Sequence, residues 1–337
     1  MTVLETIPAT RLASLALEIT GQCQNRCGSH CYAKSGPAGT HGSMSRDDWF
    51  AVLDQAAGIG VRMVQYIGGE PTLHPYLPQL IGRARSLGMR VEVFSNLVHV
   101  RPAMWQAFEQ DGVTLATSYY SDNAAEHEQI TEGRGSYART KANISEAIRR
   151  GIPLRASIVH VLDDQNIAGA RSELRALGVT GDIRVDRVRA IGNGDQDDTV
   201  TIHNPAELCG RCGLDRAAVS PDGVVTPCVM SRWLTTGDVR TQSLAEILRG
   251  PVWADRMAVI PRRAGACVPD SCTPREDSCM PSPGVDGCNP DSDGSDCSPA
   301  ETTACAPAYD SLLTACNPNS DGSDCSPAET TACNPSY

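Results

Sequence analysis

Residues 15–33 read LALEITGQCQNRCGSHCYA, an apolar run followed by a cysteine-rich loop. The run at 15–19 has the length and composition of a buried strand. Three cysteines, Cys23, Cys27 and Cys31, follow it within nine residues, surrounded mainly by glycine and polar residues. Because side chains that follow parallel strands gather at the carboxyl edge of a sheet, we expect the three thiols to lie together there.

Apolar runs that end in glycine or polar turns alternate with helix-like segments over most of the chain, which indicates repeated β-α units and a parallel sheet. The predicted strands are Leu15 to Ile19, Met63 to Ile67, Arg90 to Phe94, Thr114 to Tyr119, Leu154 to Val159 and Ile183 to Val188. The predicted helices are 45–57, 76–87, 102–110, 138–150 and 166–177. Six strands with five crossovers fit an α/β fold of the partial (β/α)6 TIM-like barrel type, and an open doubly wound sheet is the alternative.

The net charge of the chain is concentrated at its carboxyl end. Residues 267–337 contain 12 acidic residues and only Arg275 as a base, which accounts for the whole net charge of −11. The same segment holds nine of the 15 cysteines and no Phe, Trp or Ile, so it can bury little apolar surface. This acidity and the lack of a basic cluster argue against a nucleic-acid partner.

Membrane insertion is not expected from the sequence. No run approaches the ~20 apolar residues that span a bilayer. The start, MTVLETIPATR, has neither a basic leader nor a long apolar region. We therefore expect a cytoplasmic protein, in which 15 cysteines indicate metal binding rather than disulfides.

The spacing of Cys23, Cys27 and Cys31 favours an iron-sulfur cluster. Three thiolates so close in sequence can bind three irons of one [4Fe-4S] cluster and leave the fourth iron open for a substrate or cofactor. The alternatives are free thiols or a zinc site. Zinc usually takes four ligands with a short CxxC pair, and only His30 and His41 are near enough in sequence to complete the set.

A second motif, Gly68-Gly69-Glu70-Pro71, follows the second predicted strand. Two glycines let the backbone approach a ligand closely, and a carboxylate beside them can hold an ammonium group. Cysteines after the first strand and GGEP after the second resemble the radical S-adenosylmethionine (SAM) superfamily, and the resemblance covers residues 15 to about 190. The usual spacing in that family is CxxxCxxC, so Gly28-Ser29-His30 adds one residue to the loop.

The resemblance implies which residues bind SAM. The three cysteines would hold the cluster, and the amine and carboxylate of SAM would chelate its open iron. Glu70 and the backbone of Gly68 and Gly69 would bind the SAM amine. Polar residues at later strands would lie near the ribose: Ser95, Asn96, Ser118 and Ser157. Packing or solvation within the barrel explains Ser118 and Ser157 equally well, and no catalytic acid or base can be named.

A second group of cysteines is Cys209, Cys212 and Cys228. The spacing C-x10-G-x4-C runs through Pro221-Asp222-Gly223, which predicts a hairpin turn that brings Cys212 and Cys228 together. Alone, this pattern also fits a zinc ribbon. It is similar to the opening of the SPASM or Twitch extension, which carries auxiliary [4Fe-4S] clusters in many radical SAM enzymes that act on peptides. The later run typical of that extension, CxxCx5CxxxC, is absent, and the remaining ligand candidates are Cys267, Cys272 and Cys279.

Four segments are predicted along the chain. They are a radical SAM partial barrel at 1–190, a linker at 191–207, a small cysteine-rich α+β auxiliary-cluster domain at 208–287 and a low-complexity, acidic, Cys-rich tail at 288–337. In the auxiliary domain we expect a β-like segment from Val224 to Val229 and a helix from Leu244 to Leu248 capped by Ser243.

The tail contains a tandem repeat. The sequence at 288–309 recurs at 316–337 with 19 of 22 positions identical. A duplicated cysteine module is the simplest interpretation. Its thiols could bind metal, shield the site or have no role, and a further alternative is that the tail mimics or is a peptide substrate.

The resemblance implies an enzyme that reductively cleaves SAM to a 5′-deoxyadenosyl radical, which abstracts a hydrogen atom from the substrate. A ribosomally made peptide is the expected substrate, with crosslinking, epimerisation or oxidation as the reaction. Expected partners are that peptide, an electron donor of the flavodoxin or ferredoxin type and a separate leader-recognition protein. The alternatives are a radical SAM dehydrogenase of a small alcohol or sugar, and a noncatalytic metal-binding or thiol scaffold.

Overall fold

The computed structural model describes residues 12–195 and 203–262. Its strands, in chain order, are β1 (Ser14–Thr20), β2 (Met63–Gly68), β3 (Arg90–Phe94), β4 (Val113–Tyr119), β5 (Leu154–His160), β6 (Ile183–Arg187), β7 (Arg216–Val219), β8 (Val224–Thr226) and β9 (Gly237–Asp238). Its α-helices are α1 (Arg46–Gly58), α2 (Leu77–Ser86), α3 (Pro102–Phe108), α4 (Ala124–Thr131), α5 (Ser136–Arg149), α6 (Ile167–Ala176), α7 (Leu244–Arg249) and α8 (Pro251–Ala258). Cys267, Cys272, Cys279 and the tail at 288–337 lie outside the described residues.

The order of strands identifies the barrel type. Within the described residues the sheet runs β6-β5-β4-β3-β2-β1-β7-β8-β9, and β1 to β6 pair in parallel. Each of these six strands therefore lies beside its neighbours in sequence. A doubly wound sheet would reverse its order at a switch point. The prediction of a partial (β/α)6 barrel is confirmed, and the open doubly wound alternative is excluded.

The two faces of the sheet differ because side chains alternate along each strand. Leu15, Leu17 and Ile19 of β1 are fully buried in the main apolar core together with residues of the surrounding helices. The opposite face carries polar groups, among them Glu18 of β1, which is 2% exposed. Because the carboxyl ends of β1 to β6 meet at one edge of the sheet, that edge is where a polar site can form.

A buried ion pair lies on the polar face. Arg155 of β5 donates from Nε and Nη2 to the two carboxylate oxygens of Glu92 on β3, at 2.8 and 2.7 Å. Gln65 of β2 donates to the same carboxylate at 2.6 Å. Such a bidentate pair fixes the relative position of three strands, because breaking it would leave a buried charge without its partner.

The segment after residue 208 extends the same sheet. β7 pairs in parallel with β1, and Leu15 lies opposite Ala217. β8 returns antiparallel through the turn at Ser220–Gly223, as the Pro-Asp-Gly sequence predicts. β8 ends at Thr226, earlier than the expected Val229, because Pro227 has no backbone N–H to continue the pairing. The expected helix at Leu244 is confirmed with Ser243 as its cap.

Some elements differ from the expectations. β7, β9, α4 and α8 have no counterpart among the predicted elements, and α5 begins at Ser136 instead of 138. The start of the expected linker is not extended chain, because residues 192–194 form a 3-10 turn. Across 12–195 and 203–262, none of the helices combines the length and the apolar character needed to cross a bilayer.

Candidate active site

The cysteine loop leaves β1 at Thr20 and is closed at its base by backbone hydrogen bonds. Gly21 donates to the carbonyl of Thr40 at 2.8 Å, and Cys23 donates to the carbonyl of Gly36 at 3.0 Å. Cys31 donates back to the carbonyl of Cys27 at 3.3 Å, which forms one helical turn between these cysteines. The loop therefore presents its three thiols from a closed and compact backbone.

The GGEP segment packs directly against the start of this loop. Gly69 donates to the carbonyl of Thr20 at 2.7 Å, and Glu70 donates to the carbonyl of Gln22 at 2.8 Å. Gly68 has a φ of +143°, and a Cβ atom there would lie 2.3 Å from the Thr20 oxygen. A side chain at this position would collide with the backbone of the loop, so glycine is needed where β2 meets β1.

Glu70 is completely buried and organises the turn after β3. Its Oε1 accepts hydrogen bonds from the backbone N and the hydroxyl of Thr72 and from the hydroxyl of Ser95, at 3.0, 2.7 and 2.8 Å. Its Oε2 accepts from the backbone N of Asn96 at 2.8 Å. Burial raises the pKa of Glu70, and these hydrogen bonds oppose that shift. Oε1 thus accepts three hydrogen bonds and Oε2 one, and the SAM-amine role stays a prediction.

Asn96 connects this turn to the first cysteine. Its side-chain amide donates to the Sγ of Cys23 at 3.6 Å and accepts from Gln24 at 2.8 Å. Thr140 of α5 donates to the Asn96 carbonyl at 2.9 Å. The predicted residues Ser95, Asn96 and Glu70 thus form one hydrogen-bonded unit with Cys23, whereas a ribose contact stays a prediction.

The end of α4 holds the middle of the cysteine loop, a contact that the sequence did not predict. The Thr131 carbonyl accepts from the backbone N of Arg26 at 3.2 Å and from the Cys27 thiol at 3.8 Å. Glu132 accepts from the backbone N of Gly28 at 3.0 Å. Its φ of +49° is rare for a side-chain residue, and such strain is typical of functional sites. The glutamate therefore holds the part of the loop that contains the extra residue.

The turn after β6 holds the same loop from another side. The backbone N of Asn193 donates to the Cys31 carbonyl at 2.8 Å, and its side chain donates to the Cys27 carbonyl at 3.2 Å. Gly192 has a φ of +64°, and a Cβ there would lie 2.2 Å from the Tyr32 oxygen. Residues that the sequence places in a linker thus contact the cysteine loop directly.

We expect an Asn193→Ala variant to release cluster iron several-fold faster than the wild type. The variant loses the side-chain bond to the Cys27 carbonyl, worth about 1 kcal/mol, and keeps the backbone bond to Cys31. Iron release to a chelator under anaerobic conditions measures the effect. Asn204→Ala is the control, because Asn204 caps a different turn. Equal release rates in Asn193→Ala and the wild type would contradict the role of this side chain.

Ser118 and Ser157 lie next to each other across β4 and β5. Ser157 is buried and Ser118 is half-buried. Beyond β4, the Tyr120 hydroxyl and the Nε2 of His30 are 3.2 Å apart. The extra loop residue is thus accommodated with His30 directed toward β4, and SAM binding by the two serines stays a prediction.

Behind Tyr120, His127 of α4 is buried among aromatic rings. Its ring centroid lies 5.1, 5.3 and 5.7 Å from those of Tyr119, Tyr120 and Tyr137. Burial lowers the pKa of His127 to about 4. The folded protein therefore favours the neutral ring. Above pH ~6.5 the ring costs the folded state nothing, whereas the free energy of unfolding decreases as the pH falls toward ~4, because the unfolded chain binds a proton at His127 first.

A His127→Phe variant is therefore expected to resist acid better than the wild type. Over the interval from pH ~7 to ~4, its free energy of unfolding should fall by about 2–3 kcal/mol less, since it has no buried imidazole to protonate. Urea unfolding at both pH values measures this difference. Identical losses in the two proteins would show that His127 is protonated equally in the folded and unfolded states.

The thiols of the cysteine loop suit a cationic cluster. Burial, followed by the charges of Glu70 and Cys31, raises the pKa of Cys23 to about 12. Burial and the two neighbouring cysteines also raise the pKa of Cys27. A cation removes this penalty, because it stabilises the thiolates. Among the described residues no three candidate ligands surround a single metal ion, whereas in a cluster each thiolate binds a separate iron.

Cys212 and Cys228 lie together in a second, small apolar core, as the predicted hairpin turn requires, and Cys209 packs against that core. The Sγ atoms of Cys212 and Cys228 are 2.7 Å apart. Hydrogen bonding with Cys209 and Cys228, together with burial, raises the pKa of Cys212. The hydroxyl of Ser231 bonds both the N and the O of Cys228, at 2.9 and 3.0 Å. These cysteines fit an auxiliary site, although Cys212 and Cys228 must separate to bind different irons.

The fold and the cysteine loop define a class of enzyme that combines an iron-sulfur cluster with SAM. A model of the radical SAM superfamily matches residues 17–172, and a model of the SPASM iron-sulfur cluster-binding domain matches residues 209–279. The chain therefore carries a radical SAM domain followed by a SPASM domain. It therefore uses SAM and [4Fe-4S] chemistry, while the assignment of individual residues to these groups stays a prediction.

Some known proteins are similar to this chain over most of its length, and others over about half of it. The PqqA peptide cyclase of Xanthomonas euvesicatoria pv. vesicatoria is 26% identical over 296 residues, 77% of this chain and 78% of that protein. The S-adenosylmethionine-dependent nucleotide dehydratase of a Thermoplasmatales archaeon is 29% identical over 160 residues, 47% of this chain and 56% of that protein. The crystal structure of Streptococcus suis SuiB bound to precursor peptide SuiA has a TM-score of 0.61 at 13% identity, covering 74% of this chain and 67% of that one. At that identity the structural likeness concerns the fold alone.

Proposed function

We propose that this enzyme modifies a ribosomally made peptide by abstracting a hydrogen atom from it, in a reaction that crosslinks, epimerises or oxidises the peptide. The observation that carries the proposal is the similarity to a PqqA peptide cyclase over 77% of the chain. A match of that extent includes more than the barrel, so it supports a shared arrangement of barrel and SPASM domain. When bound, the cluster and SAM supply a 5′-deoxyadenosyl radical.

The chain's own residues position these groups. Cys23, Cys27 and Cys31 would hold the cluster beneath the carboxyl edge of the sheet. The backbone of Gly68 and Gly69 and the carboxylate of Glu70 would receive the SAM amine, because the backbone N–H groups of Gly69 and Glu70 hold this segment against the start of the cysteine loop. Ser95, Asn96, Ser118 and Ser157 would lie along the ribose.

A small apolar patch beside the loop can confine a radical to its substrate. It joins the carboxyl ends of β2 and β3 to the SPASM segment. Its members are Ala16, Tyr32, Ile67, Phe94, Ala218, Val229 and Met230. A carbon radical reacts with the first suitable hydrogen donor that it meets. An apolar surface that offers few such donors therefore favours abstraction of hydrogen from the bound substrate. Cys209, Cys212 and Cys228, with the candidates Cys267, Cys272 and Cys279, would hold the auxiliary centre.

A small-molecule substrate is the second candidate function. It is favoured by the similarity of about half of the chain to a SAM-dependent nucleotide dehydratase. That match is shorter than the match to the peptide cyclase. It gives no reason for the SPASM domain, so the peptide remains the first candidate.

The substrate class can be tested with anaerobically reconstituted enzyme, SAM and dithionite. The probes are synthetic peptides encoded by short open reading frames next to the gene, and nucleotides and sugars in parallel reactions. We expect 5′-deoxyadenosine formation to rise with a peptide. Mass spectrometry should show loss of two hydrogens, or deuterium uptake from heavy water for epimerisation. Turnover of a nucleotide or sugar, with every peptide unchanged, would overturn the proposal.

A further inference from the structure

Arg232 lies where the SPASM segment meets the cysteine loop. It follows Ser231, whose hydroxyl is fixed to the backbone of Cys228. From there its Nη2 reaches Glu18 on the polar face of β1, at 2.5 Å. The positions are 214 residues apart in sequence, so this contact is a purely tertiary feature.

The same guanidinium lies over the ring of the residue that follows the third cysteine. It stands 5.6 Å from the ring centre of Tyr32, the residue directly after Cys31. Burial lowers the pKa of Arg232, but attraction to Glu18, Tyr32 and Cys31 outweighs it and raises the pKa. The side chain is 34% exposed and that of Glu18 only 3%. A permanent positive charge and a buried carboxyl group thus lie together at one side of the loop.

Charges in this position act on a redox centre. Reduction adds negative charge to a cluster, so a nearby cation stabilises the reduced form and a nearby carboxylate destabilises it. The effect is strong where water is excluded, since effective dielectric constants are lower there. Glu18 is ion-paired with Arg232, and its carboxylate acts in the opposite direction.

We infer that the positive charge of Arg232, in the SPASM segment, raises the reduction potential of the cluster at Cys23, Cys27 and Cys31. The carboxylate of Glu18 lowers it. This inference rests on the proposed function in one respect only, namely that these three cysteines hold the cluster. It gives the SPASM segment a second role besides holding an auxiliary centre, because its arginine makes the SAM-bound cluster easier to reduce.

The test is an anaerobic redox titration of the full chain followed by electron paramagnetic resonance, with and without SAM to identify the SAM-binding cluster. We expect Arg232→Gln to shift its midpoint to more negative potential and Glu18→Gln to shift it to more positive potential. Arg232→Lys keeps the charge and should stay near the wild type. Arg149→Gln, on the exposed side of α5, is the control.

Midpoint shifts of opposite sign in the two variants distinguish an electrostatic effect from damage to the loop. Damage would not move the midpoint to more positive potential in one variant and to more negative potential in the other. Unchanged midpoints in both Arg232→Gln and Glu18→Gln would overturn the inference and leave the proposed function intact. If Arg232→Gln binds no iron, the Glu18→Gln variant tests the inference alone. A shift of its midpoint to more positive potential supports the inference, and any other result overturns it. Failure of the wild type to bind iron and sulfide at the loop would instead overturn the proposed function.

Discussion

A triple variant with Cys23→Ala, Cys27→Ala and Cys31→Ala is expected to keep its fold and form no 5′-deoxyadenosine above background. The three thiolates are the expected ligands of three irons, and no described side chain near them can replace all three. The fold should survive because the loop backbone is closed by bonds that do not involve the thiols. Chromatography of SAM and dithionite reactions measures the nucleoside.

The control for this variant is Cys209→Ala, which removes a cysteine from the second group only. It should still cleave SAM, since the cluster loop is untouched. Circular dichroism establishes whether both variants are folded. Nucleoside formation by the triple variant at the wild-type rate would contradict the placement of the SAM-binding cluster.

A Glu70→Ala variant is expected to lose about 3–5 kcal/mol of unfolding free energy and most of its SAM cleavage. The buried carboxylate accepts four hydrogen bonds, from Thr72, Ser95 and Asn96, and its removal takes away the acceptor of the two backbone N–H groups and of the Ser95 hydroxyl. Asn96 in turn donates to Cys23, so the loss reaches the cluster loop. Urea unfolding measures the stability, and the nucleoside assay measures the activity.

Ser95→Ala is the matched variant, because it removes only one of those four donors. Its expected cost is about 1 kcal/mol. Glu70→Gln keeps the size of the side chain and should lie between the two. An unfolding free energy of Glu70→Ala equal to that of the wild type would show that the carboxylate does not organise this turn.

The barrel could be predicted because its signals are local. The six parallel strands are short apolar runs that end in turns, and each predicted strand overlaps an observed one. α4 was missed because AAEHEQIT shows no clear apolar stripe; its stability comes from the Asn123 cap and from packing against tyrosines. The charges of Glu92 and Arg155 were visible inside apolar strands, and such buried charges indicate a pair.

The convergence of the cysteines and the GGEP segment could be predicted from the sequence. The residues that contact the cysteine loop from distant parts of the chain could not. The cysteines and GGEP follow consecutive strands, so their convergence follows from the topology of a parallel sheet. Glu132, Asn193 and Arg232 contact the loop from positions about 100 to 200 residues away in sequence. No local pattern distinguishes such residues from ordinary surface glutamate, asparagine or arginine. Only the tertiary structure shows that they hold or face the cluster loop.

The proposed reaction depends on SAM binding to a cluster held by Cys23, Cys27 and Cys31. The most direct measurement is the electron paramagnetic resonance spectrum of the reduced, reconstituted protein with and without SAM. A variant with Cys209→Ala, Cys212→Ala and Cys228→Ala isolates the loop cluster. We expect a [4Fe-4S] signal that SAM alters in both the wild type and this variant. Zinc in place of iron and sulfide, or a signal that SAM leaves unchanged in both, would contradict it.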